Sequence, residues 1–114
     1  MKRSLYIIIG VTLLLFVSCG QQQRAKSIAK DFMESTLKKD VSYIDFSNVD
    51  STRVISDSLI QVMRSHGIPG IGYQERKGPS LLHIRAKYVL DGDTCSTTFY
   101  IDPELTGVVA YKDN

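Results

Sequence analysis

The chain predicts an α+β domain in which an N-terminal amphipathic helix lies across an antiparallel sheet of about four strands, with a short second helix near residues 56–66. Three observations carry this expectation. Apolar or small residues recur at helical spacing at Ala25, Ile28, Ala29, Phe32, Met33, Thr36 and Leu37. Asp91-Gly92 separates two runs of alternating apolar and polar residues, the signature of a tight hairpin. A single apolar helix stripe also needs an apolar surface to cover, and one face of such a hairpin provides it.

Taken in order, Arg24 to Lys39 predicts the first helix, with Arg24, Lys26, Lys30, Asp31 and Glu34 on its wet side. Tyr43 to Val49, rich in aromatic and β-branched residues, predicts a strand, and Asp50-Ser51-Thr52 a turn. Ser56 to His66 predicts the second helix, with Ser56 or Asp57 as its cap. Leu59, Ile60, Val62 and Met63 form its apolar face, and Gly67 fits just past its end. Gly67 to Gly72 carries too many breakers for a regular element. Tyr73 to Lys77 predicts a further strand.

Leu81 to Leu90 predicts a strand that turns at Asp91-Gly92, where a type I′ turn needs positive φ at both positions. A two-residue loop there pairs Leu90 with Asp93, Tyr88 with Cys95, Ala86 with Thr97, Ile84 with Phe99 and Leu82 with Ile101. Leu82, Ile84, Ala86, Tyr88, Cys95, Phe99 and Ile101 then share one face. His83, Arg85, Lys87, Ser96, Thr98 and Tyr100 share the other. Asp102 to Gly107 turns the chain once more, and Val108 to Lys112 completes a meander.

Ahead of this domain stands a segment of another kind. Met1-Lys2-Arg3 is followed by Leu5 to Val17, 13 residues without a charge. As a helix this run spans about 20 Å, short of the roughly 30 Å of a bilayer core, and it suits the apolar part of a signal peptide. Phe16-Val17-Ser18-Cys19-Gly20 resembles a lipobox, the processing site of bacterial lipoproteins, with Phe16 where leucine is usual. The resemblance implies a signal peptide over residues 1–18, lipid attachment at Cys19 and a short polar tether over 19–23. A single domain then occupies residues 24–114.

Loss of the signal segment removes Lys2 and Arg3, leaving 12 basic residues against 12 acidic ones. A neutral mature chain offers no basic surface for nucleic acid. Lipidation of Cys19 would leave Cys95 without an internal disulfide partner.

Beyond the lipobox, the run Ala25 to Leu37, Ser42-Tyr43, Phe46, Val49 to Thr52, His83 to Tyr88 and Phe99 to Leu105 resembles a group of small lipoproteins and secreted proteins of Bacteroidetes. The segment Ile55 to Gly72 departs from it. The resemblance implies an envelope compartment and a helix-plus-sheet fold, and it supplies no catalytic residue.

The sheet face opposite the core is the candidate binding face, with His83, Arg85, Lys87, Thr98 and Tyr100 as its donors. No other constellation supports chemistry. His66 and His83 stand 17 residues apart without metal-ligand spacing. Asp91 and Asp93 are better explained by the turn than by calcium, and no Gly-x-Ser-x-Gly elbow or phosphate loop occurs. The expectation is therefore a protein without enzymatic activity, cofactor or metal. It would be held in the cell envelope by a diacylglyceryl and acyl anchor, at the outer membrane facing the periplasm. Two functions fit: a binding or accessory module that meets an envelope protein through the open face or the last strand, or a small-ligand binder with the helix over a concave sheet.

Overall fold

A computed structural model describes residues 20–37 and 41–114 with their side chains. The expected signal segment and Cys19 lie outside these residues, as do Lys38 and Lys39 at the expected end of the first helix. The elements are α1 (Lys2–Leu37), β1 (Ser42–Phe46), β2 (Asp50–Thr52), α2 (Asp57–His66), β3 (Leu81–Leu90), β4 (Asp93–Ile101) and β5 (Val108–Asp113). All strand pairs are antiparallel. The sheet order is β1-β3-β4-β5, with β2 also against β3. The α+β class and the helix-on-sheet arrangement are as the sequence predicts.

The β3–β4 hairpin carries the predicted register, from Leu90↔Asp93 to Leu82↔Ile101. Asp91 and Gly92 have φ of 52° and 83°, the paired positive values of a type I′ turn. The inward residues Leu82, Ile84, Ala86, Tyr88, Phe99 and Ile101 form one core with Ala25, Ala29 and Met33 of α1. Full burial of Ile84, Phe99 or Ile101 stabilises the fold by about 1.5–3 kcal/mol each.

Four local expectations are corrected. Gly20 to Gln23 continue the helix in place of a tether, because Gln22 has a docking role. Its amide donates to the Ser47 carbonyl at 2.9 Å and accepts from the Val49 N–H at 2.6 Å. Asp50–Thr52 is a strand in place of a turn. The ten-residue β3 exposes more edge than β1 covers, and β2 pairs with the remainder at Leu81 to His83. Between them the Ser47 hydroxyl takes the place of a ladder carbonyl, accepting from the Arg85 N–H at 2.8 Å.

Tyr73 to Lys77 forms no strand. Only the Gln74 N–H bonds to β5, at the Val108 carbonyl, 2.8 Å away. The Gln74 carbonyl is taken by Arg64 instead, at 3.0 Å. Finally, the outward sheet face is not open along its length. The Ser56 hydroxyl caps α2 by accepting from the Leu59 N–H at 3.1 Å. The helix then lays Ile60 and Met63 on Leu81, Val109 and Ala110, forming a second core with Ile55. A bulge at Tyr100/Ile101 turns the consecutive residues Val109 and Ala110 to the same side, which widens that contact.

The β4–β5 turn is fastened from within. Asp102 is 0% exposed. Its carboxylate accepts from the Thr106 hydroxyl at 2.6 Å, the Thr106 N–H at 2.9 Å and the Gly107 N–H at 2.8 Å. Burial works to raise its pKa, but these bonds prevail and hold it below the usual carboxylate range. Leu105 sits in the turn at φ 59°, and its carbonyl receives the Arg24 Nε of α1 at 3.2 Å.

Candidate functional site

A polar line crosses the otherwise apolar inward face. Thr97 stands between Cys95 and Phe99 on β4 and is 2% exposed. Its hydroxyl donates to Asp113 Oδ1 at 2.9 Å, and the Tyr88 hydroxyl lies 2.8 Å from the same Thr97 oxygen. Thr97 has one proton and gives it to the carboxylate, so Tyr88 is the donor in the second bond. Burial pushes the Tyr88 phenol above its ordinary pKa. The Thr97 bond opposes that shift and the Asp113 charge adds to it. Tyr88 is therefore a neutral donor at physiological pH.

This line borders a cleft of about 600 Å3 between the C-terminal part of α1 and the β4–β5 side of the sheet. Small-molecule sites commonly measure about 300–1,000 Å3. Phe32, Met33 and Leu37 of α1 form one wall. Tyr88, Leu90, Cys95 and Phe99 come from the hairpin, and Tyr111 and Asp113 from β5. The residues that follow α2, Gly67 to Pro69, close the remaining side.

Aromatic contacts fix these walls. The Phe32 ring meets Phe99 and Tyr111 edge to face, with centroids 6.0 and 5.5 Å apart. Tyr73 stacks on Tyr111 at 6.3 Å. The Tyr111 hydroxyl accepts from the Ile68 N–H at 3.0 Å and so ties the loop to the sheet. Gly67 permits this closure through its lack of a side chain and not through left-handed backbone. Its φ is −80°, while a Cβ there would stand 2.7 Å from the Tyr73 hydroxyl and 2.9 Å from that of Tyr111.

The cleft can hold an apolar body and bond a polar end. Among the described residues, Asp113 is the carboxylate side chain of the lining, and neither lysine nor arginine contributes to it. Cys95 is half-buried there, with Sγ 3.7 Å from the Asp93 carbonyl oxygen. Among the described residues, no group of three or more His, Cys, Asp or Glu side chains is placed to hold a metal ion.

The predicted binding face is divided in the structure. His83 and Tyr100 are cross-strand partners, with ring centroids 6.4 Å apart. Tyr100 also packs against the α2 core. Thr98 is buried, and its hydroxyl accepts from Asn114 Nδ2 at 3.0 Å. Arg85 and Lys87 remain exposed on β3, opposite Thr98 and Ser96. The five residues thus remain neighbours on β3 and β4. α2 covers one end of the face, Asn114 occupies part of the middle, and two basic side chains extend from the rest.

The last strand is also less available than expected. The Val108 and Val109 carbonyls are taken by the Gln74 N–H and by Arg64 Nε, at 2.8 and 3.0 Å. A cavity between helix and sheet belongs to the second function the sequence allowed, but the sequence did not point to the residues that line it. Its one visible trace was Thr97, a polar residue at an inward position of an otherwise apolar pattern. No described helix is long and apolar enough to cross a membrane. No family model, curated protein or solved structure matches the chain.

Proposed function

We propose that this protein is a lipid-anchored, non-catalytic binding module of the bacterial cell envelope, and that it holds a small amphipathic ligand in the cleft beneath the C-terminal part of α1. The observation that carries the binding reading is the cleft of about 600 Å3 with apolar walls and the Tyr88–Thr97–Asp113 line along it. A filled core with an intact aromatic and basic outer face would have favoured a protein-docking module instead. Here that face is divided by α2 and Asn114.

The anchoring half of the proposal rests on sequence: the positive start, the uncharged run and the lipobox-like Phe16 to Gly20. It agrees with the resemblance to small Bacteroidetes lipoproteins, and Gly20 in place of an aspartate after Cys19, with no acidic cluster over Gln21 to Lys26, favours the outer membrane and its periplasmic face.

Two measurements test the two halves. The intact mass of protein extracted from membranes is expected to match a chain beginning at Cys19 with diacylglyceryl and acyl additions, and Cys19→Ala is expected to lack them. An unlipidated mass for the wild type overturns the anchor. The chain contains no Trp, so Leu37→Trp places a lone indole in the cleft wall. Its emission is expected to shift when small amphipathic compounds are added. Emission that stays constant across neutral, cationic and anionic compounds overturns the cleft as a binding site.

A further inference from the structure

We infer that the ligand of this cleft carries a positively charged nitrogen on an apolar, ring-sized body. The inference rests on the cleft reading above and adds the charge of the ligand. Its ground is the sidedness of the lining. Asp113 contributes a carboxylate, and among the described residues neither lysine nor arginine of the lining supplies an opposing charge. Asp113 forms no ion pair among the described residues, where the ion pairs are Arg76–Asp57 and Lys77–Glu104. One of its oxygens is held by Thr97, which orients the carboxylate and leaves the group exposed at the mouth.

The aromatic rings add a second element of the same sign. Phe32 and Tyr111 are half-buried lining residues set edge to face at 5.5 Å. Ring faces attract cations, most strongly where water is excluded. A carboxylate beside aromatic rings favours an ammonium group and disfavours a carboxylate or phosphate. An anion would meet Asp113 with no lysine or arginine of the described lining to compensate it.

The test uses three compounds of similar shape and different head charge: 2-phenylethylammonium, 2-phenylethanol and phenylacetate. Each is titrated by calorimetry into the full-length protein in lipid nanodiscs, with and without Asp113→Asn. The asparagine keeps an acceptor for Thr97 and removes the charge. The ammonium compound is expected to bind roughly tenfold more tightly than the alcohol, with phenylacetate weakest. Asp113→Asn is expected to remove most of that preference, leaving the part contributed by the rings.

Equal binding of ammonium compound and alcohol to the protein with Asp113 intact overturns the charge inference and leaves the cleft reading in place. A preference undiminished by Asp113→Asn also overturns it. Failure of all three to bind removes the cleft reading and this inference together.

Discussion

The two halves of the described helix meet the same sheet in opposite ways. Around Ala25 and Ala29, both 0% exposed, the helix has no side-chain bulk between its backbone and the strands. Gln22 and Arg24 bond that end to Ser47, Val49 and Leu105. From Phe32 onward the stripe changes to large residues, Phe32, Met33 and Leu37, and a cleft lies between helix and sheet. One amphipathic pattern therefore yields a tight dock at one end and a vacancy at the other. Apolar periodicity sets which side of the helix faces the sheet, and residue size sets how closely it approaches.

The contrast is sharpest for truncations at the two ends. Ile84 is 0% exposed within the shared core, and Ile84→Ala is expected to cost about 3–4 kcal/mol. Leu37→Ala, at the cleft wall, is expected to cost under about 1 kcal/mol, because its side chain already borders open space. Urea unfolding of both variants checks the pair, and equal losses would show that the cleft end is packed as firmly as the docked end.

A second test concerns the turn that receives Arg24. Asp102→Ala leaves the Thr106 and Gly107 N–H groups without their acceptor and is expected to cost about 2 kcal/mol at neutral pH. The pH dependence has a definite sign. The folded pKa of Asp102 is depressed, so its contribution is fully present above the unfolded value of about 3.9 and disappears as pH falls through the folded value. The stability difference between wild type and variant is expected to shrink on acidification below pH ~4. A difference that stays constant there would mean that the carboxylate's charge is not what holds the turn.

The smallest expected effect is at the cleft. Thr97→Val keeps the shape and removes both hydrogen bonds, at a cost of about 1 kcal/mol, with Tyr88 losing its acceptor. The informative readout is binding of 2-phenylethanol to the Leu37→Trp protein. Weaker binding after Thr97→Val is expected if the line serves a ligand, and unchanged binding assigns it to folding alone.

Much of the architecture was legible because its determinants are local. Asp91-Gly92 fixes a turn type, the turn type fixes a register, and the register sorts Leu82 to Ile101 into two faces. The α1 stripe was legible for the same reason. What could not be read was the side of the sheet on which α2 would settle. Leu59, Ile60, Val62 and Met63 announce an amphipathic helix, but nothing in that pattern selects one sheet face over the other. Only Ile60 and Met63 of the four are buried, with Leu59 42% and Val62 50% exposed.

That undetermined choice decided the functional reading. Placing α2 outside divides the expected binding face of His83, Arg85, Lys87, Thr98 and Tyr100. The chain that follows α2 then returns over the β5 edge and walls the cleft. Gly67 was legible as a helix end, but the reason for glycine there, the nearness of Tyr73 and Tyr111, depends on residues distant in sequence.

Arg64 has a consequence for how copies of this protein behave toward one another. Its guanidinium lies over the Tyr73 ring at 5.0 Å and bonds the carbonyls of Val109 and Gln74, so that the Val109 acceptor on the outer side of β5 is occupied. The opposite border is interrupted as well, by the bulge at Tyr43/Asp45 and the break between β1 and β2. Neither border offers a long, regular row of free donors and acceptors on which a strand from a neighbour could template itself. The same arginine that positions the loop thus also interrupts the β5 edge at Val109, a feature that works against strand-to-strand association between copies.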